Sequence, residues 1–472
     1  MKKIKIFLLS LASSLGALAA DIDVTPGKLE GLLSAGTPSG DNTLVLKGAL
    51  DARDLAALEK LPSGIKTLDL SGVKIEALTM PNRKYFGRTL FNEGEIPAYT
   101  FFKSGLQSLI LPSGVNTVCE GAFAGSDITE ITIPEGVTSI GDYAFYGCAN
   151  LKKVNLPSSL KEIGKGAFGN CMALESIDLG TTGVKTLPER VFAGSLQLAD
   201  VALPAGLEKV GREAFSHTMV DELNLSRVAE FEAYALSSMP YLTKLAINPD
   251  AAIGDGLLMD NISLNSLTGV PELVPDYFAA NCNDLDTQGL VAPSSEVGRY
   301  SFANTAAPEE LFLSSGITRI DRGALSGLTN LKKIYAIELE GFIPEVADDS
   351  FEGLDQRSIE LWVTDEAFDL WNNHPLWGEF LVHSEHYTGV DEIASDMTSD
   401  INIALRGGLL IVESPDVIND VRIYTADGRM AYVASPNQER VEIEAATLPS
   451  GIVVVAVSDM AKKTKTVSLL LK

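Results

Sequence analysis

The chain has 472 residues, 46% of them apolar, and a formal net charge of −26. That apolar content can fill a core, which excludes global disorder, and the length leaves room for more than one domain. So acidic a chain is unsuited to holding nucleic acid or anionic lipid through a broad electrostatic field.

Residues 1–20, MKKIKIFLLSLASSLGALAA, place three Lys before an apolar run that ends in Ala17-Leu18-Ala19. An A-x-A site at that place reads as a secretory signal peptide. No later stretch reaches the roughly 18 apolar residues a bilayer requires. The expectation is an exported protein, at the cell surface or extracellular, with no transmembrane segment. The four Cys, at 119, 148, 171 and 282, match no zinc or CxxC spacing and are too few for a disulfide scaffold.

Residues 21–100 read as an N-terminal cap. TPGKLEGLLSA is helical in pattern, NTLVLKGAL extended, and DARDLAALEKL helical behind an Asp N-cap. TLDLSG follows as a strand. Residues 81–98, PNRKYFGRTLFNEGEIPA, form an insertion that reads as a packed loop, although its Arg and aromatic residues would also suit a binding loop.

From residue 101 the chain repeats itself. Phe101, Phe123, Phe145, Phe168, Phe192, Phe215, Leu236, Leu258, Phe278, Phe302, Leu325 and Phe351 recur at spacings of 20–26 residues. A period near 23 is that of a leucine-rich repeat. In one repeat Leu151, Val154 and Leu156 form an L-x-x-L-x-L strand with three inward side chains, and Pro157 ends it. Leu160 and Ile163 turn the chain back inward. Ala167 clears space beside the Phe168 ring. One coil cannot bury its apolar face alone, so coils stack and their rings join a continuous ladder. Cys148 and Cys171 hold equivalent places in adjacent coils, close enough for a disulfide but better read as a buried thiol ladder.

The phrase L-x-x-I-x-LP…I-G…AF-x-GC, as in 140–157 and 163–179, resembles the BspA-like leucine-rich repeats of bacterial surface proteins. The resemblance covers about residues 101–363 and weakens at 253–300, where a kinked or distorted coil is expected. It implies a secreted or cell-surface protein, and for several family members adhesion. The expected fold class is a β-rich α/β protein: a curved, right-handed leucine-rich repeat solenoid with a parallel sheet. A closing cap, SIELWVTDEAFDLWNNHPLWGEF, carries it to residue 388, and 389–400 is a linker. Residues 401–472 change to short strands around Gly407-Gly408 and Asp427-Gly428, an antiparallel β-sandwich pattern. This tail resembles type IX secretion sorting domains, or an Ig-like module.

Catalytic motifs are absent. The four His, at 217, 374, 383 and 386, fit no metal-ligand spacing, and no nucleophile elbow or phosphate loop occurs. The chain reads as a non-enzyme without cofactor or metal, a scaffold for an extracellular protein or, alternatively, a glycan-binding accessory or a hydrolase. Two sets of outward strand residues are candidate binding sites. Asp178, Asp200 and Glu222 belong to a charged run with Glu130, Lys153 and Lys244, and would steer a charged partner or be merely solvated. Phe312, Tyr335 and Trp362 fall 10–11 residues after their anchors and should form a ridge of rings on neighbouring strands. That ridge would anchor a partner or a sugar, unless the closing cap or the sandwich covers it.

Overall fold

The structure, a computed structural model, describes residues 20–34, 42–81, 85–285, 291, 294–306, 308–339, 341–384, 401–406, 409–425, 430–449, 451–459 and 464–471. Residues 1–19 of the expected leader and the expected linker at 389–400 therefore lie outside the described residues. The chain divides into two compact units, Met1–Leu207 and Glu208–Lys472.

In the first unit the cap supplies the opening strands of the parallel sheet itself. Ala20–Val24, Thr43–Leu50 and Thr67–Ile75 pair in parallel, and the last pairs Ser108–Ile110 with Leu68 opposite Leu109. The expected helices lie between them at Leu29–Ser34 and Ala52–Ala57. Asp51 caps the second through Arg53 N, while the buried carboxylate of Asp54 accepts from Asp51 N, Gly27 N and Leu29 N. One acid thus ties both helix starts to the same point.

Leu78–Thr79 pairs antiparallel with Leu90–Phe91 of the insertion. Its Arg88 lies over the Phe91 ring and pairs with buried Glu95, so the insertion is packed on itself. The repeat begins earlier than residue 101, because Glu95–Ile96 already pairs with Thr117–Val118.

Each coil has two parallel ladders. The face ladder runs through Ser108–Ile110, Glu130–Thr132 and Lys153–Asn155, and Ser176–Asp178 pairs Asp200–Ala202. A second ladder of two-residue strands joins Glu95–Ile96, Thr117–Val118, Ser139–Ile140 and Glu162–Ile163. The glycine after that second strand is dictated by closeness between coils. A Cβ on Gly164 would lie 2.2 Å from Asp142 N, and one on Gly141 2.7 Å from Glu120 N.

The anchor rings form the ladder expected of them. Phe123, Phe145 and Phe168 are fully buried, and centroids of successive rings from Phe101 to Phe168 lie 4.9–5.3 Å apart and nearly parallel. Phe145 N donates to Ala167 O of the next coil, so backbone and rings share one spacing. The thiols are free. Cys148 Sγ donates to Phe123 O and Cys171 Sγ to Phe145 O, both at 3.1 Å. Ser195 does the same to Phe168 O, and Asn261 and Cys282 repeat it in the second unit. The position is a buried donor that satisfies the preceding anchor's carbonyl, which is why Cys, Ser and Asn interchange there.

In the second unit the face ladder uses Glu222–Leu225, Lys244–Ile247 and Ser266–Thr268, then Glu310–Phe312, Lys333–Tyr335, Glu360–Val363 and Leu381–Ser384. The second ladder is interrupted where the repeat phrase weakens. Ala252–Ile253 and Leu273–Val274 belong to separate sheets. The anchor in this coil needs correction. Tyr277 has the positive φ of Tyr143, and Ala279 N donates to the next coil as Phe145 N does. Ala279 therefore occupies the ring position and Phe278 the small-residue position. The inverted order turns Phe278 edge-on to Phe302, with an interplanar angle of 85°.

The closing segment forms the helix Phe368–Asn372 and buries Trp371 and Trp377. Trp377 meets Phe351 at 5.0 Å and so covers the last anchor. Past 400, six described strands build one antiparallel sheet around the long strand Leu409–Thr425. Asn402–Arg406 and Gln438–Glu444 pair its first half, Met430–Ala434 and Gly451–Asp459 its second. Leu410 and Val412 from one half join Val421 and Ile423 from the other, and Val455 of the neighbouring strand, in a single core cluster. The chain is a β-rich leucine-rich-repeat solenoid with a C-terminal antiparallel sheet.

Candidate functional site

On a face strand the middle residue points inward and its two neighbours point out, so in-register coils build two outward rows. From Glu310 onward one row is Glu310, Lys333, Glu360 and Leu381. The other is Phe312, Tyr335, Trp362 and His383. The structure brings the three expected rings onto adjacent strands and adds a fourth.

Neighbouring strands repeat at ~4.8 Å, which falls within the roughly 4.5–7 Å centroid spacing that offset-stacked rings prefer. Phe312 and Tyr335 lie 4.6 Å apart at 11°, and Trp362 and His383 4.9 Å apart at 24°. All four are half-buried. The charged row holds their polar tips. Trp362 Nε1 donates to Glu360 Oε2 at 3.0 Å, and Tyr335 OH to Glu310 Oε1 at 3.4 Å. Lys333 Nζ sits between both carboxylates, 3.9 Å from Glu310 and 3.8 Å from Glu360. The result is a ring ridge beside an acid–base–acid row.

The fourth ring, His383, has no metal-ligand spacing to mark it, and the strand Leu381–Ser384 brings it opposite Trp362. Continuing the strand pattern from ELWV to LVHS would have placed it. His374 is internal to the closing segment, its Nδ1 accepting from Leu376 N and Trp377 N at 3.3 Å. His386 lies outside the described residues.

The acidic set is not gathered in the same way. Asp178 and Asp200 belong to the first unit and Glu222 to the second. Asp200 stands opposite Ser176 and Asp178 opposite Ala202, so the two occupy different outward rows. Asp178 accepts from Gly180 N, and Glu222 is paired with Lys244 at 2.7 Å. Beside that pair, small outward residues such as Ala246, Ser266 and Thr268 leave a shallow depression of about 380 Å³.

Chemistry at these places is limited by their ionisation. Burial is the main cause that pushes the Cys119 thiol up to about 12, with the nearby Glu95 carboxylate adding to it; burial likewise holds Cys282 at about 12. Cys171, fully buried, is held well above the ordinary thiol range. None is a ready thiolate. Among the described residues no group of three or more His, Cys, Asp or Glu is arranged to hold a metal ion. Nor is any described helix long and apolar enough to cross a membrane.

Stacked parallel coils, an inward ring ladder and a strand-lined face define a leucine-rich-repeat protein. The BspA type leucine-rich repeat region (6 copies) matches residues 94–221, 170–286 and 272–368, more than half of the chain, and the chain belongs to that family. No curated protein matches it in sequence. Among solved structures it is similar to a leucine-rich repeat protein from Bacteroides ovatus, at 22% identity over 71% of this chain and 83% of that one, with a TM-score of 0.52. A leucine-rich cell surface protein from Faecalibacterium prausnitzii shares 19% identity over 55% of this chain and 80% of that one, with a TM-score of 0.32. The pneumococcal vaccine antigen PcpA shares 17% over 72% and 80%, with a TM-score of 0.38.

Proposed function

We propose that this chain is an exported binding scaffold that captures an extracellular protein on the face ladder of its second unit. The observation that carries the reading is the in-register row of Phe312, Tyr335, Trp362 and His383. Half-buried aromatics are the side chains that dominate interface energies, and here their rotamers are held by neighbouring rings before any partner arrives. A protein suits the ridge better than a sugar. Rings stacked against one another turn edges outward, whereas a sugar stacks on an open ring face.

Asp178, Asp200 and Glu222 enter this proposal only through the long-range field of an acidic chain, which steers a basic partner and is weakened by salt. Export is supported by the leader pattern of residues 1–20, by the family, and by the tail's resemblance to sorting domains.

The test presents the protein in parallel to an array of extracellular and bacterial surface proteins and to a glycan array. Capture of a protein that disappears in a folded Phe312→Ala, Tyr335→Ala, Trp362→Ala variant supports the ridge. Undiminished capture by that variant removes it.

A further inference from the structure

A second aromatic surface lies on the turns of the first unit, away from the face ladder. Two residues before each anchor from Phe101 to Leu325 the backbone adopts positive φ, which glycine takes freely and a bulky residue takes under strain. Gly121 and Gly166 occupy that place at φ 56° and 55°, yet the coils that alternate with them carry Tyr99 at 59° and Tyr143 at 54°. Each Tyr lies against the glycine of the next coil. A Cβ on Gly121 would come within 2.4 Å of the Tyr99 ring, and one on Gly166 within 2.8 Å of the Tyr143 ring.

That contact is a packing device, since Tyr234 and Tyr300 repeat it over Gly256 and Gly323. What the first unit adds is a second ring one residue after the anchor. Phe102 stands at right angles to Tyr99, centroids 5.9 Å apart, and Tyr146 at right angles to Tyr143, 5.6 Å apart. The coils of Tyr234 and Tyr300 have Ser237 and Ala303 at that position, so the fold does not require a ring there. All four rings are 41–48% exposed.

We propose that these two pairs bind a linear, neutral β-1,4-linked polysaccharide. Perpendicular rings offer a floor and a wall to a sugar, unlike the stacked rings of the ridge. The pairs are separated by one coil bearing only Gly121 and Ala124, so they recur after two coil rises, about 10 Å. A β-1,4-linked chain turns the same sugar face outward at every second residue, at close to that distance. Hydrogen-bonding groups flank the rings. Tyr99 OH donates to Glu120, Asn170 Nδ2 donates to Tyr146 OH at 2.6 Å, and Lys103 Nζ stands 5.1 Å from the Phe102 ring centroid.

Calorimetric titration of the full chain with cellohexaose, mannohexaose and chitohexaose tests this, with maltohexaose as the α-linked control. At least one β-1,4 hexasaccharide is expected to bind, and maltohexaose is not. Phe102→Ala with Tyr146→Ala should keep the melting temperature within a few degrees, because the second unit folds without those rings, while each lost ring lowers affinity about tenfold, ~1.4 kcal/mol. Tyr99→Gly with Tyr143→Gly, which places glycine where its neighbours already have it, gives the same loss by an independent route. Absence of binding by all three β-1,4 sugars, equal binding of maltohexaose, or full affinity in both folded variants overturns the proposal. None of these results bears on protein capture by the ridge.

Discussion

Cys148 and Cys171 each donate a hydrogen bond from sulfur to the preceding anchor's carbonyl, which belongs to another coil. Hydrogen-bond donation, not apolar character, is what Ser195 and Asn261 share with them. Cys171→Val, which keeps shape and removes the donor, should therefore destabilise by about 1–3 kcal/mol in urea unfolding, while Cys171→Ser costs less. The same burial has a pH consequence. Cys119 and Cys282 ionise near 12 when folded. An unfolded thiol does so near 8.5. Between these values the native state binds more protons than the unfolded state, so stability is full below about pH 8.5 and falls as pH rises toward 12. Urea midpoints measured from pH 7 to 10.5 should decline on the alkaline side, and iodoacetamide should label the native thiols only as the chain unfolds.

Among the elements, the face strands were legible because L-x-x-L-x-L alternation fixes which side chains point inward. That pattern places Phe312, Tyr335 and Trp362 on one row, and the register sets them on adjacent strands. It failed at two places for physical reasons. The two-residue second ladder is too short to carry a period of its own. The Phe278–Ala279 inversion hides because both orders contain one ring and one small residue, and only backbone hydrogen bonding tells the two slots apart. In the closing segment Trp371 and Trp377 are both buried. Trp377 seals the ring ladder against Phe351 and Phe380. Solenoid stability passes from neighbour to neighbour, so Trp377→Ala should cost about 3–5 kcal/mol locally and release the terminal coils first. Hydrogen exchange is expected to lose protection across 345–384 while the first unit keeps its own.

For the whole molecule, a family of stacked coils explains stability and leaves function to what the outward rows display. Most outward positions are small or singly charged, such as Thr132, Asn155 and Ala246, and the ring row at 312–383 departs from that background. In the proposed function the net charge of −26 steers the approach of a partner, and the ridge slows its release. These two contributions separate experimentally. The decisive measurement is the affinity of the captured protein for Tyr335→Ala, compared with an Asp178→Lys, Asp200→Lys, Glu222→Lys variant, each titrated at low and high salt. The ridge account predicts a loss of about 30-fold or more for Tyr335→Ala at both salt concentrations, equivalent to roughly 2 kcal/mol, and a changed salt dependence alone for the charge reversals. Unaltered affinity in a folded Tyr335→Ala protein, with binding abolished by the charge reversals, would contradict it.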